Sequence, residues 1–150
     1  MGSDKWLNIS RYGGDAPLKD SLKVLRSKGY RIVATTPHID DCQIFKFDLQ
    51  KGPFVLMFGS ELNGLSENAL DSADEFIKIP MYGFTESLNI SVSAAIILHY
   101  YSMQIRNLDI DWELSDTEKN EVMLSWLMKS IKDSKRIVER YFEAKMRSGI

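Results

Sequence analysis

Two polar loops punctuated by glycine carry the residues whose types and spacing could perform chemistry. Residues 58–66 (Phe-Gly-Ser-Glu-Leu-Asn-Gly-Leu-Ser) follow one apolar run, and residues 79–91 follow another and lead into a helix. Open α/β sheets place their ligand crevices at the carboxyl ends of the strands. Glycine lets a backbone approach a ligand closely, while apolar walls with a few convergent polar groups bind and orient it. The two loops therefore predict one binding site.

Several other kinds of site do not fit these residues. The first loop has the glycine spacing of a phosphate-binding loop, but Leu65 stands where the lysine is required, which argues against nucleotide triphosphate hydrolysis. The acidic stretch from Asp109 imitates a calcium loop, but Leu114 and Asn120 occupy the positions of its glycine and bidentate glutamate. Neither histidine has a partner at metal-ligand spacing, and there is no G-x-S-x-G elbow. We therefore expect neither a metal site nor serine-hydrolase chemistry.

Apolar runs alternate with helical patterns over the first two thirds of the chain, which indicates an α/β fold with a mainly parallel sheet and flanking helices. The run at 54–58 is apolar without alternation, which is typical of a central strand buried on both faces. The predicted strands are Trp6–Ile9, Tyr30–Ala34, Phe54–Phe58 and Phe76–Ile79. The predicted helices are 17–28, 67–72, a buried helix over 87–106, and a long C-terminal helix that begins at a capping box of Ser115 and Glu118 and continues through Tyr141.

Composition limits the class of protein. The chain has 150 residues, 44% of them hydrophobic and 27% charged, which is typical of one soluble domain with its own core. Its net charge of −2 argues against a domain coated in basic residues for nucleic acid. Cys42 has no partner for a disulfide and no secretory leader is recognised, so a cytoplasmic location is predicted. The apolar stretch Val92–Leu98 is too short to span a membrane.

The charges are unevenly distributed. Acidic residues predominate from Asp109 to Glu121 and basic residues from Lys129 to Arg147. Lys132, Arg136 and Arg140 lie at four-residue spacing, which could give the last helix one positive face. A solvated surface and an RNA contact are both open interpretations of this face.

The two loops also match a known family. Residues 59–65 (GSELNGL) resemble its G-N-E-x-x-G-L motif, and residues 79–91 (IPMYGFTESLNIS) resemble I-P-M-x-G…S-L-N-V-S of the SpoU/TrmH family of RNA ribose 2′-O-methyltransferases. Order and spacing agree, and the resemblance covers about residues 6–103. One departure is Ser60, where the family usually has Asn, a change that alters the hydrogen bonding of the loop but leaves Glu61 in place.

The resemblance implies a deep C-terminal trefoil knot of the SPOUT type, which is an exception to the rule that chains do not thread loops. It also implies a homodimer that binds S-adenosylmethionine in the knot and needs no metal. The methyltransferase domain would cover residues 1–106, and residues 107–150 would be a helical extension packed on it. The RNA partner would be tRNA, as in the similar guanosine enzymes that modify the D-loop.

Roles for individual residues follow from the same resemblance. Contacts to the cofactor are expected from Thr35, Gly59, Ile79, Met81 and Leu88. The polar residues of the catalytic neighbourhood would be Glu61, Ser87 and Asn89. Without the resemblance, Glu61, Ser87 and Asn89 would be interpreted as helix caps, and Ser87 and Asn89 can cap a helix while lining a site.

The chemistry also needs a base, because a ribose 2′-hydroxyl is a weak nucleophile that must be aligned and deprotonated. In the family an arginine paired with an asparagine in an N-x-x-x-x-x-R motif is expected in that role. Asn8 and Arg11 have the wrong spacing, and residues 1–6 resemble the later G-S-x-x-W segment. The sequence thus resembles a family member lacking its N-terminal part. The alternatives are a catalytically incomplete, dimeric S-adenosylmethionine-binding module and an RNA-binding α/β domain without a cofactor.

Overall fold

The structure, a computed structural model, describes residues 6–14, 16–38 and 42–148. The match of residues 1–6 to a G-S-x-x-W segment lies almost wholly outside these ranges. The described residues form two compact units, residues 11–111 and residues 6–10 together with 112–148. The predicted packing of residues 107–150 on the preceding domain stays a prediction.

The first unit is a parallel sheet with helices, as predicted. Its strands run in the order β2-β4-β1-β3, and every described pairing is parallel. Two short 3-10 turns, Ile44–Lys46 and Leu49–Lys51, connect β2 to β3. The elements in chain order are α1 (Pro17–Ser27), β1 (Arg31–Thr35), β2 (Cys42–Gln43), β3 (Phe54–Met57), α2 (Glu67–Asp71), β4 (Glu75–Lys78) and α3 (Ile90–Ile105).

Local sequence explains the boundaries of α1. Pro17 occupies its first turn, where the missing N–H is no loss. Gly29 follows the helix with a φ of +80°, a conformation that glycine adopts without steric cost, and its N–H donates to the Arg26 carbonyl. The helix presents Leu22 to the core. The predicted helix is therefore confirmed to within one residue.

Strand β1 is the centre of the core. Ile32, Val33 and Ala34 have no exposed surface, and alternate side chains point to opposite faces of the sheet. On one face Val33 shares a cluster with Ile44, Phe47, Ile77, Ile97 and Tyr101. On the other face Ile32 and Ala34 share a cluster with Leu22, Met57 and Ala69. Helix α3 thus covers one face of the sheet, and α1 with α2 covers the other.

Among the described strands β3 lies at an edge of the sheet, with β1 as its neighbour, so for the described residues the prediction of a central strand at 54–58 is wrong. Phe54 and Leu56 pack against the α3 side, whereas Val55 and Met57 pack against the α1 side. An unbroken apolar run indicates that both faces of a strand are covered. It gives no information on how many strands pair with that strand. The central position belongs to β1.

Two further strand predictions need correction. The predicted strand Trp6–Ile9 is irregular, and its Trp6 ring instead meets Trp126 edge-on at 5.4 Å in the second unit. The sequence also gives no sign of β2, because two residues are too few to show any periodicity.

Helix α3 begins three residues after the predicted start at Ser87 and ends one residue before Arg106. It buries Ile97 and Tyr101, and the Tyr101 ring stacks on Phe47 at 5.4 Å between centroids. Burial raises the pKa of the Tyr101 hydroxyl. Within the described ranges, no helix combines the length and apolar character that a membrane crossing requires.

The second unit contains α4 (Asp116–Ser130) and α5 (Ser134–Ser148). The predicted capping box is confirmed: the Glu118 N–H donates to Ser115 Oγ at 3.3 Å, and Glu118 Oε2 accepts from the Ser115 N–H at 2.9 Å. Hydrogen bonds from the Ser115 hydroxyl and backbone lower the pKa of Glu118. These contacts fix the start of α4.

The predicted single C-terminal helix is in fact two helices. Ile131 is extended, and Asp133 has a φ of +58°, which aspartate tolerates better than most residues. Ser134 Oγ donates to the Met128 carbonyl across the break at 2.8 Å. Apolar residues continue at helical spacing through the break, so the sequence pattern gives no indication that the helix is interrupted. Because Lys132 lies in the break, it does not share a helical face with Arg136 and Arg140.

Asp74 ties the beginnings of β1 and β4 to the end of α1. Its Oδ2 accepts from the Ile32 N–H at 2.7 Å, and its Oδ1 accepts from the Arg26 guanidinium at 2.8 Å. Partial burial alone would raise the pKa of Asp74, but these two partners together more than offset it and lower the pKa. The ionised carboxylate therefore stabilises the folded state.

We expect Asp74→Asn to lower the free energy of unfolding by about 1 kcal/mol at pH 7, since the amide keeps an acceptor but loses the charge. The folded pKa lies below the unfolded value of about 3.9, so this contribution is present above that pH and is lost as pH falls through the folded pKa. Urea unfolding between pH 7 and pH 2 should show the difference from wild type shrinking. Asp71→Asn, on an exposed aspartate at the end of α2, is the control. A pH-independent difference would contradict this role.

Candidate active site

The carboxyl ends of β1, β3 and β4 surround a cavity of about 360 Å³. Because β1 lies between β4 and β3, the loop after β1 lies between the loops after the other two strands. The volume is in the range that holds one drug-sized ligand. The lining comes from residues 35–38, 58–65, 77–79, 81 and 86–88, with Leu70 and Ile90, Ser93 and Ile97 of α3.

The structure brings all the predicted site residues together. Those that line the cavity are Thr35, Gly59, Glu61, Ile79, Met81, Ser87 and Leu88. Asn89 is hydrogen bonded to Glu61, which is one of these residues. The strand-end prediction of a single site formed by two loops agrees with this geometry.

The loop after β3 closes on itself. Ser60 and Gly64 exchange both backbone hydrogen bonds at 2.9 Å, and Gly64 has a φ of +65°. The Asn63 N–H donates to Ser60 Oγ at 3.2 Å. The serine at position 60 therefore supplies an acceptor inside the turn. This internal bonding presents Glu61 and Leu62 at the tip of the loop.

Gly59 is required by this closure. A Cβ atom at Gly59 would lie 1.9 Å from the carbonyl carbon of Gly64 and 2.2 Å from the Leu65 nitrogen. Both atoms belong to backbone, which cannot rotate aside as a long side chain can. The close approach within the loop is thus sufficient reason for glycine at this position.

A hydrogen bond joins the two loops. Asn89 Nδ2 donates to Glu61 Oε1 at 2.6 Å, and Asn89 Oδ1 accepts from the Ser91 N–H at 2.8 Å as the N-cap of α3. The cap fixes the orientation of the amide, and the fixed amide holds the Glu61 carboxylate. Asn89 is therefore both a helix cap and a site residue. The Glu61 carboxylate accepts the hydrogen bond from Asn89 and does not cap a helix.

Thr35 uses its hydroxyl structurally. Its Oγ1 donates to the Met57 carbonyl at 2.8 Å and so joins the ends of β1 and β3. The hydroxyl hydrogen is thereby occupied, which leaves the hydroxyl oxygen as an acceptor, together with the backbone and methyl group of Thr35, for contact with a ligand.

Sequence reasoning missed several ionisable residues that line the cavity, namely His38, Lys78 and Glu86. His38 lies after the central strand, where its N–H donates to Thr36 Oγ1 at 3.3 Å. Its position beyond the carboxyl end of a strand is the signal that could have identified it. The missed apolar part of the lining includes Leu65, Leu70, Ile77 and Ile97.

Comparison with known proteins gives the family. The model of the SpoU rRNA Methylase family matches residues 1–99. The chain belongs to the SpoU methylase family. The chain is 36% identical over 133 residues to the tRNA (guanosine(18)-2′-O)-methyltransferase of Borreliella burgdorferi, covering 89% of this chain and 59% of that protein. It is 35% identical over 139 residues to the enzyme of the same name from Aquifex aeolicus, covering 91% and 64%.

Solved structures agree with this membership. The chain is similar to the A. aeolicus TrmH/SpoU tRNA modifying enzyme, with a TM-score of 0.67, 32% identity, and coverage of 87% of this chain and 66% of that one. It is also similar to AviRb from Streptomyces viridochromogenes, solved in complex with AdoMet, with a TM-score of 0.53, 32% identity, and coverage of 63% and 36%. The chain spans about three fifths of the length of its curated relatives.

We expect Gly59→Ala to displace the loop after β3, because the new methyl group would overlap backbone atoms. Overpacking of this kind typically costs about 1–3 kcal/mol of unfolding free energy. Gly13→Ala is the matched control, since a Cβ there meets no atom within 4 Å and the φ of Gly13 is not in the positive region. Urea unfolding should show a loss for the first variant only. Equal stability of the two variants would show that the loop relaxes without cost.

We expect Glu61→Ala to loosen both loops, whereas Glu61→Gln should preserve them because its carbonyl oxygen can accept the same bond from Asn89. Loss of about 1–2 kcal/mol corresponds to roughly five- to thirtyfold faster local opening. Hydrogen exchange of backbone amides in residues 58–65 and 86–91 measures this opening. Exchange in Glu61→Gln as fast as in Glu61→Ala would rule out the acceptor oxygen as the link.

Proposed function

We propose that this SpoU methylase carries the cofactor and catalytic site of an S-adenosylmethionine-dependent RNA ribose 2′-O-methyltransferase, with a D-loop guanosine of tRNA as its target. The main support is the cavity at three strand ends, where the Glu61–Asn89 hydrogen bond joins the two loops. The names of the relatives from B. burgdorferi and A. aeolicus support the tRNA guanosine substrate.

The cavity suits an adenosyl cofactor. Apolar side chains of Leu65, Ile79 and Leu88 offer walls for an adenine ring, while the tight turn at Gly59 brings backbone to the lining. The volume of about 360 Å³ fits one ligand of this size. AviRb, which shares the fold, was solved with AdoMet.

The residues of the chain would bind and orient the reactants. S-adenosylmethionine, when bound, supplies a methyl group on a positively charged sulfur that is already a good leaving group. Asn89 is held by its cap and by Glu61, so its amide offers a fixed contact. Glu61 Oε2 can accept a hydrogen bond from a ribose hydroxyl, and Ser87 belongs to the same cavity lining. Fixing a weak nucleophile against the methyl carbon removes much of the entropic barrier.

The proposal includes the deep trefoil knot and the homodimer. Likeness to the TrmH/SpoU enzyme supports the knot, as does the position of β4, the last strand in the chain, inside the sheet. Exposed apolar side chains on α3, namely Val92, Leu98 and Met103, support a subunit contact. The tRNA substrate is the reason for proposing a cytoplasmic location.

We expect the wild-type chain to bind S-adenosylhomocysteine and Leu88→Arg to bind it at least about tenfold more weakly. The arginine would replace an apolar side chain of the cavity lining with a larger, charged one. Isothermal titration calorimetry measures both affinities. Val24→Arg, on the exposed side of α1 and outside the cavity lining, is the control and should bind like wild type. A folded wild-type chain that produces no binding heat would refute the cofactor assignment.

Methyl transfer is tested with an unmodified tRNA transcript and labelled S-adenosylmethionine. The matched substrate carries a single 2′-deoxyguanosine at the target position of the D-loop, and it should accept no label. Transfer to both substrates would place the methyl group elsewhere on the RNA. Cofactor binding without any transfer would instead indicate the catalytically incomplete binding module.

A further inference from the structure

The most exposed large apolar side chains of the described residues all lie on the two loops of the cavity. Leu62 and Tyr82 are each 90% exposed, and Phe84 is fully exposed. Leu62 belongs to the cavity lining, Tyr82 follows Met81 of the lining, and Phe84 lies two residues before Glu86 of the lining. We call Leu62, Tyr82 and Phe84 the rim patch.

The loops hold these side chains outward. Gly83, between the two aromatic residues, has a φ of +116°, which turns the chain at a conformation that L side chains rarely adopt. Leu62 lies at the tip of the turn that Ser60 and Gly64 close with two hydrogen bonds. Single exposed apolar residues are ordinary, but their concentration on the two loops that line one cavity indicates a binding surface.

We propose that the rim patch stacks on nucleobases of the RNA substrate, with Tyr82 and Phe84 as the stacking rings. This inference rests on the proposed function. A cavity of about 360 Å³ holds one ligand, so with the cofactor inside, the target nucleotide must lie at the mouth. Leu62 lines the cavity, and Tyr82 and Phe84 lie in the chain between the lining residues Met81 and Glu86. Aromatic rings stack on bases of any sequence.

Area favours a base over a second protein, and charge favours contact with base faces over contact with phosphates. The patch itself is uncharged, and the charged residues beside it in the chain are Glu61 and Glu86, whose carboxylates would repel phosphate. Aromatic side chains bury roughly 150–250 Å² each. A stable protein interface buries about 800 Å² per partner. The two rings therefore match the area of one or two bases rather than that of a second protein.

The test compares the full chain with the double variant Tyr82→Ala/Phe84→Ala, using an unmodified tRNA transcript in the presence of S-adenosylhomocysteine. We expect RNA affinity to fall at least about tenfold, because each stacked base contributes about 1–3 kcal/mol. S-adenosylhomocysteine affinity should stay within about twofold of wild type. Tyr12→Ala removes a half-exposed aromatic residue outside the cavity lining and should leave both affinities unchanged.

A second pair of variants separates stacking from simple apolar contact. Phe84→Tyr keeps a ring and should bind RNA like wild type, whereas Phe84→Leu keeps apolar surface and should lose affinity. The salt dependence of RNA binding should have the same slope in all variants, because no phosphate contact is removed. A changed slope, or equal binding by Phe84→Leu and Phe84→Tyr, would overturn the stacking assignment.

Two outcomes distinguish failure of this inference from failure of the proposed function. Unchanged RNA binding by the double variant, while wild type binds both RNA and S-adenosylhomocysteine, would overturn only the rim patch assignment. A wild-type chain that binds no RNA would overturn the proposed function and this inference with it. Sedimentation of the double variant as a smaller species than wild type would identify the rim patch as a subunit contact and overturn the stacking role.

Discussion

The burial of the middle of β1 between β3 and β4 is the constraint on which the site depends. Ile32, Val33 and Ala34 have no exposed surface, and Val33 and Ala34 pair with β3 on one side and with β4 on the other. This strand can therefore neither shift its register nor leave the sheet without exposing the core. Parallel pairing then brings three strand ends to the same edge. The carboxylate of Asp74 secures the starts of the strands, and the hydroxyl of Thr35 joins two of their ends.

Two sets of contacts build the site on this sheet. The loop after β3 closes through contacts with itself, which use glycine at 59 and an acceptor at 60. The loop after β4 is ordered where it enters α3, because Asn89 caps that helix. The same amide reaches Glu61 and couples the loops. The same side-chain amide of Asn89 caps α3 and contacts Glu61. The interpretation of Asn89 as a helix cap is therefore compatible with its interpretation as a site residue.

Within the proposed function, the loops divide recognition into two parts. The cavity lining combines apolar side chains with a smaller number of polar and ionisable ones, which suits a small ligand held by close packing and a few polar contacts. Residues on the outside of the same loops carry exposed aromatic rings, which suit a large, flat and partly flexible ligand. One short segment can serve both because Met81 and Glu86 line the cavity, whereas Tyr82 and Phe84, which lie between them in the chain, are exposed. The affinity for each ligand can then change through different side chains of the same loop.

Much of this was determined by the sequence alone. Pro17 and Gly29 mark the start and end of α1, and Ser115 and Glu118 mark the start of α4. The two loop motifs indicate the position of the site. Each of these features depends only on residues that are close together in the sequence. The edge position of β3 and the bond between Glu61 and Asn89 were decided only by the tertiary structure. An apolar run reports how its faces are covered but not how many strands lie beside it. A bond between residues far apart in the chain exists only after the sheet has brought its strand ends together.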